Sequence, residues 1–385
     1  MTGLTQQQCA ALTKLRHDLH RRPEVSGEEA LTAALIAQEL AALGADRIWR
    51  GLGGHGVAAE FKGREDGPTV LLRCELDGLP IHETSDHAYR SEIVGKGHLC
   101  GHDGHMVSLL GVANLLATRP ATGRVILLFQ PAEETGAGAK AVIADPRWPE
   151  IRPDYAFAYH NVPGRPLGEI GLRAGPGNCA SRGMQILLEG KSTHAAAPQD
   201  GVSPARAMAA LMEALPKLGT GTIGDDEFAL CTLTHARLGE PTFGIAPGQG
   251  ELRVTLRCMT DARMDALVRD AMALVAQNTP DLTTEVHWHD IFLSVANDTE
   301  ATAIARHVAQ DQRRAIYDMP TPMSWSEDFG RVGGDGAKAT LLYVGAGQDH
   351  PQLHNPDYDF PDALIPAMAD LFSGIIDRTL GSPQS

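Results

Sequence analysis

Apolar positions recur at helical spacing over residues 12–22 and 28–43, which predicts two helices near the N-terminus, with Ser26 followed by Glu28 and Glu29 as the start of the second. Short runs rich in aliphatic and β-branched residues follow at 56–61, 69–73, 125–129 and 155–159, and a helix is predicted at about 104–117 between the second and third. Apolar strands that alternate with helices predict a largely parallel sheet covered on both faces. From about residue 181 the texture changes. An alternating strand at 183–189, a helix at 204–218, two strands near Phe228 and Glu251, and a helix at 261–277 suggest a β-α-β-β-α-β order, that of an inserted α+β sandwich. The first texture resumes near Thr299 and ends in a helix at 363–379. The chain therefore divides into 1–180 and 291–385, two parts of one domain, and 181–290, an inserted domain. It shows no internal repeat and no low-complexity segment.

Composition narrows the function. With 385 residues, 43% hydrophobic and 21% charged, the chain can bury substantial cores and is not disordered. Its 33 basic residues face 48 acidic ones, and a net charge of −15 argues against nucleic acid or an anionic membrane surface as partner. Six scattered cysteines with no C-x-x-C pair predict reduced thiols. Residues 1–8 are polar and no run of 18 apolar residues occurs, so a cytoplasmic protein is expected.

Three apparent motifs fail on physical grounds. The glycines of 51–56 fit G-x-G-x-x-G but lead into a short strand, and without a helix N-terminus they form no phosphate cradle. Gly190-Lys191-Ser192 resembles the end of a P-loop, yet Gln185 stands where its first glycine is needed. His82 and His87 flank a zincin-like stretch, but five residues turn a helix through roughly 140° beyond one full turn, so they cannot share a face.

The segment His98-Leu99-Cys100-Gly101-His102-Asp103-Gly104-His105 concentrates imidazoles, a thiol and a carboxylate just before a predicted helix. Thiolate and imidazole suit zinc and similar divalent ions, and the glycines allow the sharp turn that lets side chains converge. Glu133 and Glu134 follow the strand at 125–129, where open α/β sheets place their sites, so one carboxylate can bind metal while the other faces substrate. His160 ends the next strand and His354 lies in His354-Asn355-Pro356. Thiol catalysis by Cys100 with His102 is the rival chemistry, disfavoured because Glu134, His160 and His354 suit a metal better.

These residues resemble the hippurate hydrolases and N-acyl-amino-acid amidohydrolases, a family that includes aminoacylases and auxin-conjugate hydrolases. The similarity runs in order through 16–24, 73–80, 98–105, 130–134, 190–198, Ser326-Glu327-Asp328-Phe329 and 354–360. It implies a catalytic α/β domain of di-metal aminopeptidase/carboxypeptidase type, with a mixed, largely parallel sheet, and an inserted α+β sandwich acting as lid and dimerisation surface, so that a homodimer or homotetramer is expected. Two divalent ions (Zn, Mn, Ni or Co) are implied, with Cys100 bridging them, Glu134 and His354 completing one and His102 and His160 the other. By the same resemblance Glu133 is the general base that passes a proton to the leaving nitrogen, and His194 reaches the oxyanion. Arg257 is expected on a substrate carboxylate, and Glu75, Asp77 and Asp103 behind the ligands. The implied reaction cleaves the amide of an N-acetyl, N-benzoyl or indole-acetyl amino acid. Alternatives are a dipeptidase or carbamoyl-amide hydrolase with the same metals, and a catalytically silent binding protein. The chain departs from the family pattern at Glu75, where the family usually has Asp, and at Gly244-Ile245-Ala246-Pro247-Gly248, which lacks the family's Asn and Asp.

Overall fold

A computed structural model describes residues 3–382; the outermost ends of the expected first and last segments, 1–2 and 383–385, lie outside the described residues. The chain forms two compact units. One comprises the described parts of Met1–Gly177, Val295–Pro320 and Asp328–Ser385, the other Asn178–Ser294 and Thr321–Glu327.

In the first unit eight strands form one sheet, in the spatial order Arg47–Leu52, Gly56–Lys62, Thr122–Gln130, Glu65–Glu75, Tyr155–Pro163, Lys338–Gly347, Ile170–Leu172, Ile316–Asp318. The four central strands are mutually parallel. Antiparallel pairings occur toward the flanks, so the sheet is mixed, with its parallel part in the middle. Ile36 and Leu40, Val107 and Leu110, and Phe372 and Ile376 bring three helices into one core with Leu72, Leu127, Phe157 and Leu342 of the sheet. Those side chains line one face of the sheet, and Leu71, Ile126, Leu128 and Leu341, which alternate with them on the other face, are buried as well, which explains why these strands read as unbroken apolar runs. Lys338–Gly347 takes a central place that the sequence pattern leaves unassigned.

The first helix, Gln6–His20, begins well before residue 12. Thr5 accepts from Gln8 N, and the Gln8 side chain accepts from Thr5 N, a capping box that supports an early polar turn. Ser26 does not open the second helix, which runs Ala30–Ala42 from Glu29. Its hydroxyl donates to Asp77 Oδ2 instead, at 2.7 Å.

The second unit holds a four-stranded antiparallel sheet, ordered Ala229–Leu238, Gln249–Cys258, Ala180–Glu189, Thr283–Phe292. Helices Ala205–Ala214 and Asp261–Asn278 cover it through Leu211, Leu267 and Ala271 against Ile186, Leu188 and Val254. A separate ribbon pairs Thr193–His194 with Ile245–Ala246.

Close packing dictates one glycine in the first unit. A Cβ on Gly104 would lie 2.2 Å from ring atoms of Phe360. Gly104→Ala should therefore lower the urea midpoint, by about 1–3 kcal/mol in stability, the usual cost of overpacking. An unchanged midpoint would show that Phe360 yields without cost.

Candidate metal centre

Cys100 and His102 stand where the chain enters the helix His102–Leu115, and Gly101 between them adopts φ 92°. A Cβ there would be strained by that left-handed backbone and would sit 2.8 Å from Asn161 Oδ1, so only glycine lets this turn close. Glu133 and Glu134 follow the strand Thr122–Gln130, after Ala132 turns the chain at φ 49°. His160 lies toward the end of the parallel neighbour Tyr155–Pro163. His354, also left-handed at φ 66°, donates its backbone N–H to Leu99 O at 2.8 Å and so ties its loop to the Cys100 loop.

The donor atoms fall into two triads that share the Cys100 sulfur: Cys100, His102 and His160, and Cys100, Glu134 and His354, each spanning no more than 4.8 Å. Glu134 lies between them, with Oε1 3.8 Å from His102 Nε2 and Oε2 3.7 Å from His354 Nε2. Glu133, buried, groups with His102 and Glu134. His98 joins neither triad. His105 neighbours His102 and Glu75, but both of its ring nitrogens are taken by protein oxygens, Glu75 Oε2 at 2.6 Å and Asn161 Oδ1.

Backbone carbonyls orient the rings of the two buried candidate ligands, His102 and His160. His102 Nδ1 donates to Asp77 O at 2.8 Å and His160 Nδ1 to Asn161 O at 2.9 Å. A carbonyl only accepts, so the neutral rings carry their proton on Nδ1 and turn Nε2 into the cluster. His102 Nε2 is buried with no hydrogen-bond partner among the described residues, which suits a metal-ligand atom. Thiolate, imidazole and carboxylate around that atom fit a pair of divalent ions.

The electrostatics point the same way. Burial disfavours a charged His102, but Glu75, Asp77 and Glu134 outweigh it and hold the ring at about 10, so a cation binding here displaces a proton. Burial, aided by His105, drives His160 down to about 3 and keeps it neutral. The Cys100 thiol is pushed well up by burial and then by Glu134, Glu133 and Glu75. A free thiolate nucleophile is disfavoured in that field, whereas two cations would reverse it.

Carboxylates behind the cluster have distinct contacts. Asp77 Oδ2 accepts from Ser26 Oγ and, at 3.0 Å, from Glu134 N, so this residue orients two candidate ligands. Asp103 accepts from Arg16 at 3.0 Å and His20 at 2.9 Å. Glu75 bonds Arg73 and His105. In the second unit, His194 is exposed and its Nδ1 accepts from Ala196 N at 3.0 Å, which leaves the proton on Nε2 as an outward donor. Arg257 donates to Ser324 O and Ser326 Oγ, burial lowers its pKa, and no carboxylate among the described residues pairs with it. Asn161 and Ser26, neutral and polar, carry no chemical signature in the sequence and join the site only through the fold.

A family model described as Peptidase family M20/M25/M40 matches residues 71–378. The N-acetyl-L-cysteine deacetylase of Bacillus subtilis (strain 168) is 31% identical, over 92% of this chain and 84% of its own length. The hippurate hydrolase of Campylobacter jejuni is 28% identical over 94% of both chains. A Bacillus subtilis crystal structure, of a dinuclear metal binding peptidase from the M20 family, aligns with a TM-score of 0.80 at 25% identity, covering 97% of this chain and 98% of that one.

The pairing of His20 with Asp103 makes stability depend on pH. Burial opposes its charge, but Asp103 and Glu83 hold the imidazole at about 10, above the 6.5 of an unperturbed histidine. The stabilisation is complete below the unfolded value and is lost as pH rises through the folded one. Urea titrations between about pH 6 and 10 should show falling stability in the native protein and a flatter slope in His20→Asn. Identical slopes would mean that His20 gains no proton on folding.

Proposed function

Because the chain belongs to peptidase family M20/M25/M40 and is a metal-dependent hydrolase of amide bonds, we propose that it cleaves N-acyl amino acids of the acetyl, benzoyl or indole-acetyl type into a carboxylic acid and an amino acid. The observation that carries this reading is the pair of donor triads sharing Cys100, with a buried Glu133 beside them. The names of the deacetylase and hippurate hydrolase relatives support it.

Cys100, His102 and His160 hold one ion of the Zn, Mn, Ni or Co type; Cys100, Glu134 and His354 hold the other. Bound there, the ions supply Lewis acidity, lowering the pKa of water and neutralising charge as the amide carbonyl becomes tetrahedral. Glu133 accepts the proton of the attacking water and delivers it to the leaving nitrogen, without which the amine is a poor leaving group. Asp77 holds His102 and Glu134 in place through its carbonyl and carboxylate, with Glu75 and Asp103 behind. His194 offers its Nε2–H to the developing oxyanion, and Arg257 meets the substrate carboxylate. The enzyme acts in the cytoplasm as a homodimer or homotetramer assembled through the second unit, which serves as a lid. No helix among the described residues is long and apolar enough to cross a membrane.

Exhaustive chelation should abolish hydrolysis of N-acetyl, N-benzoyl or indole-acetyl amino acids, and readdition of a divalent ion should restore it. Glu133→Gln should retain both ions, measured by elemental analysis, while kcat falls about 10²- to 10⁴-fold, the usual loss of a general base. Loss of metal instead would exchange the roles of Glu133 and Glu134. Preference for dipeptides or carbamoyl amides in the same panel would move the substrate class to those alternatives.

His194→Ala should cost about 10²- to 10³-fold in kcat, the range for one oxyanion donor, with metal content intact. Normal turnover would remove His194 from the mechanism; rescue on mixing with Glu133→Gln protein would show that it acts across a subunit boundary.

A further inference from the structure

With Cys100 and His160 as metal ligands, the premise on which the role of Asn161 rests, one buried amide stands at the junction of three ligand segments. Asn161 follows His160 in Tyr155–Pro163 and is fully buried. Its backbone carbonyl receives the His160 Nδ1 proton at 2.9 Å. Its Nδ2 donates to the carbonyl of Cys100 at 3.2 Å and to the hydroxyl of Tyr358, on the loop that carries His354. Its Oδ1 meets His105 Nε2.

We propose that Asn161, braced by His105 and Glu75, is a positioning residue that sets the Cys100 loop and the His160 ring for the two metal ions. Two donors and an acceptor on one short side chain are what only an amide supplies, and here all are engaged. The brace continues inward. His105 Nδ1 lies 2.6 Å from Glu75 Oε2, Glu75 pairs with Arg73, and Arg73 donates to Asp328 at 2.6 Å and Gln130 at 3.0 Å. The imidazole of His105 packs edge-on against His160, with ring centroids 5.2 Å apart, so the brace also limits how that ligand tilts. Gly101 completes the fit, because Asn161 Oδ1 occupies the space a side chain there would need. A core amide with a purely structural role would spread its bonds over segments unrelated to the ligands; these go to the Cys100 loop, the His160 strand, the His354 loop and the ring wedged behind them.

The test uses Asn161→Asp, which matches the shape and keeps an acceptor toward His105, but sets an oxygen against the Cys100 carbonyl where a donor stood. The full-length variant, metal-free, should give a native circular dichroism spectrum. Its affinity for Zn²⁺ and Co²⁺, measured by chelator competition, should fall about 10- to 100-fold, the usual effect of losing a group that orients a ligand. The visible and thiolate-to-cobalt bands of the Co²⁺ form should shift as well. Tyr358→Phe, which removes one partner of the same amide, should move both readouts less and in the same direction, and it decides the matter should Asn161→Asp not fold. Variants that bind Co²⁺ with native affinity and spectrum overturn the brace alone. A native protein that binds neither ion overturns the metal-centre reading and the brace with it.

Discussion

Buried negative charge must be compensated, and the first unit is organised around that requirement. Glu75, Asp77, Asp103 and Glu133 are all buried, and Glu75 and Glu133 act on the Cys100 thiol. An isolated carboxylate in such surroundings would neutralise or unfold the protein before remaining charged. Part of the compensation is built in: Arg16 and His20 serve Asp103, and Arg73 serves Glu75 and Asp328. The Cys100 thiol lies in the field of Glu134, Glu133 and Glu75, which divalent ions at the candidate triads would balance. An ion bound at the candidate ligands would displace protons from the Cys100 thiol and from His102, which would link its binding to pH.

Backbone geometry converts that chemistry into a site. The central parallel strands deliver His160 and the Glu133-Glu134 pair to one end of the sheet, where connecting chain is free to turn. Left-handed backbone at Gly101 and His354 bends two loops together, and the bond from His354 N to Leu99 O locks them. His354 is the most exposed of the five candidate ligands, with 48% of its side chain accessible, and Glu134 beside it is half-buried. Cys100, His102 and His160 are buried, so the cluster meets solvent on the His354 side.

The second unit obeys different physics. Its sheet is antiparallel and covered by helices on one face, so its strands alternate where those of the first unit are continuously apolar. It carries His194 as an exposed donor fixed by one local bond from Ala196, and Arg257 on a strand that also binds Ser324 and Ser326. Thr321–Glu327 belongs to this unit although its sequence neighbours belong to the other. Contiguity along the chain therefore does not define it.

Periodicity along the chain was enough to identify both classes of sheet, the β-α-β-β-α-β order and most helices, because burial on one or two faces leaves a local imprint. The density of thiol, imidazole and carboxylate at 98–105 and 133–134 likewise announced metal chemistry, since few structural roles call for that combination. Helix starts were less legible: Ser26 resembles a cap yet bonds Asp77, and Thr5 caps a helix whose first turn is polar. Only the tertiary structure decided which histidines could be ligands. His105 has a ligand's chemistry and a ligand's spacing, but Glu75 and Asn161 occupy its nitrogens, while His102 and His160 have their Nδ1 protons claimed by carbonyls and keep Nε2 for the cluster. That difference depends on hydrogen-bond partners 25 to 56 residues away in three of the four cases, which no local pattern encodes. The role of Asn161 was invisible for the same reason: an amide acquires chemical meaning only from the groups the fold sets around it.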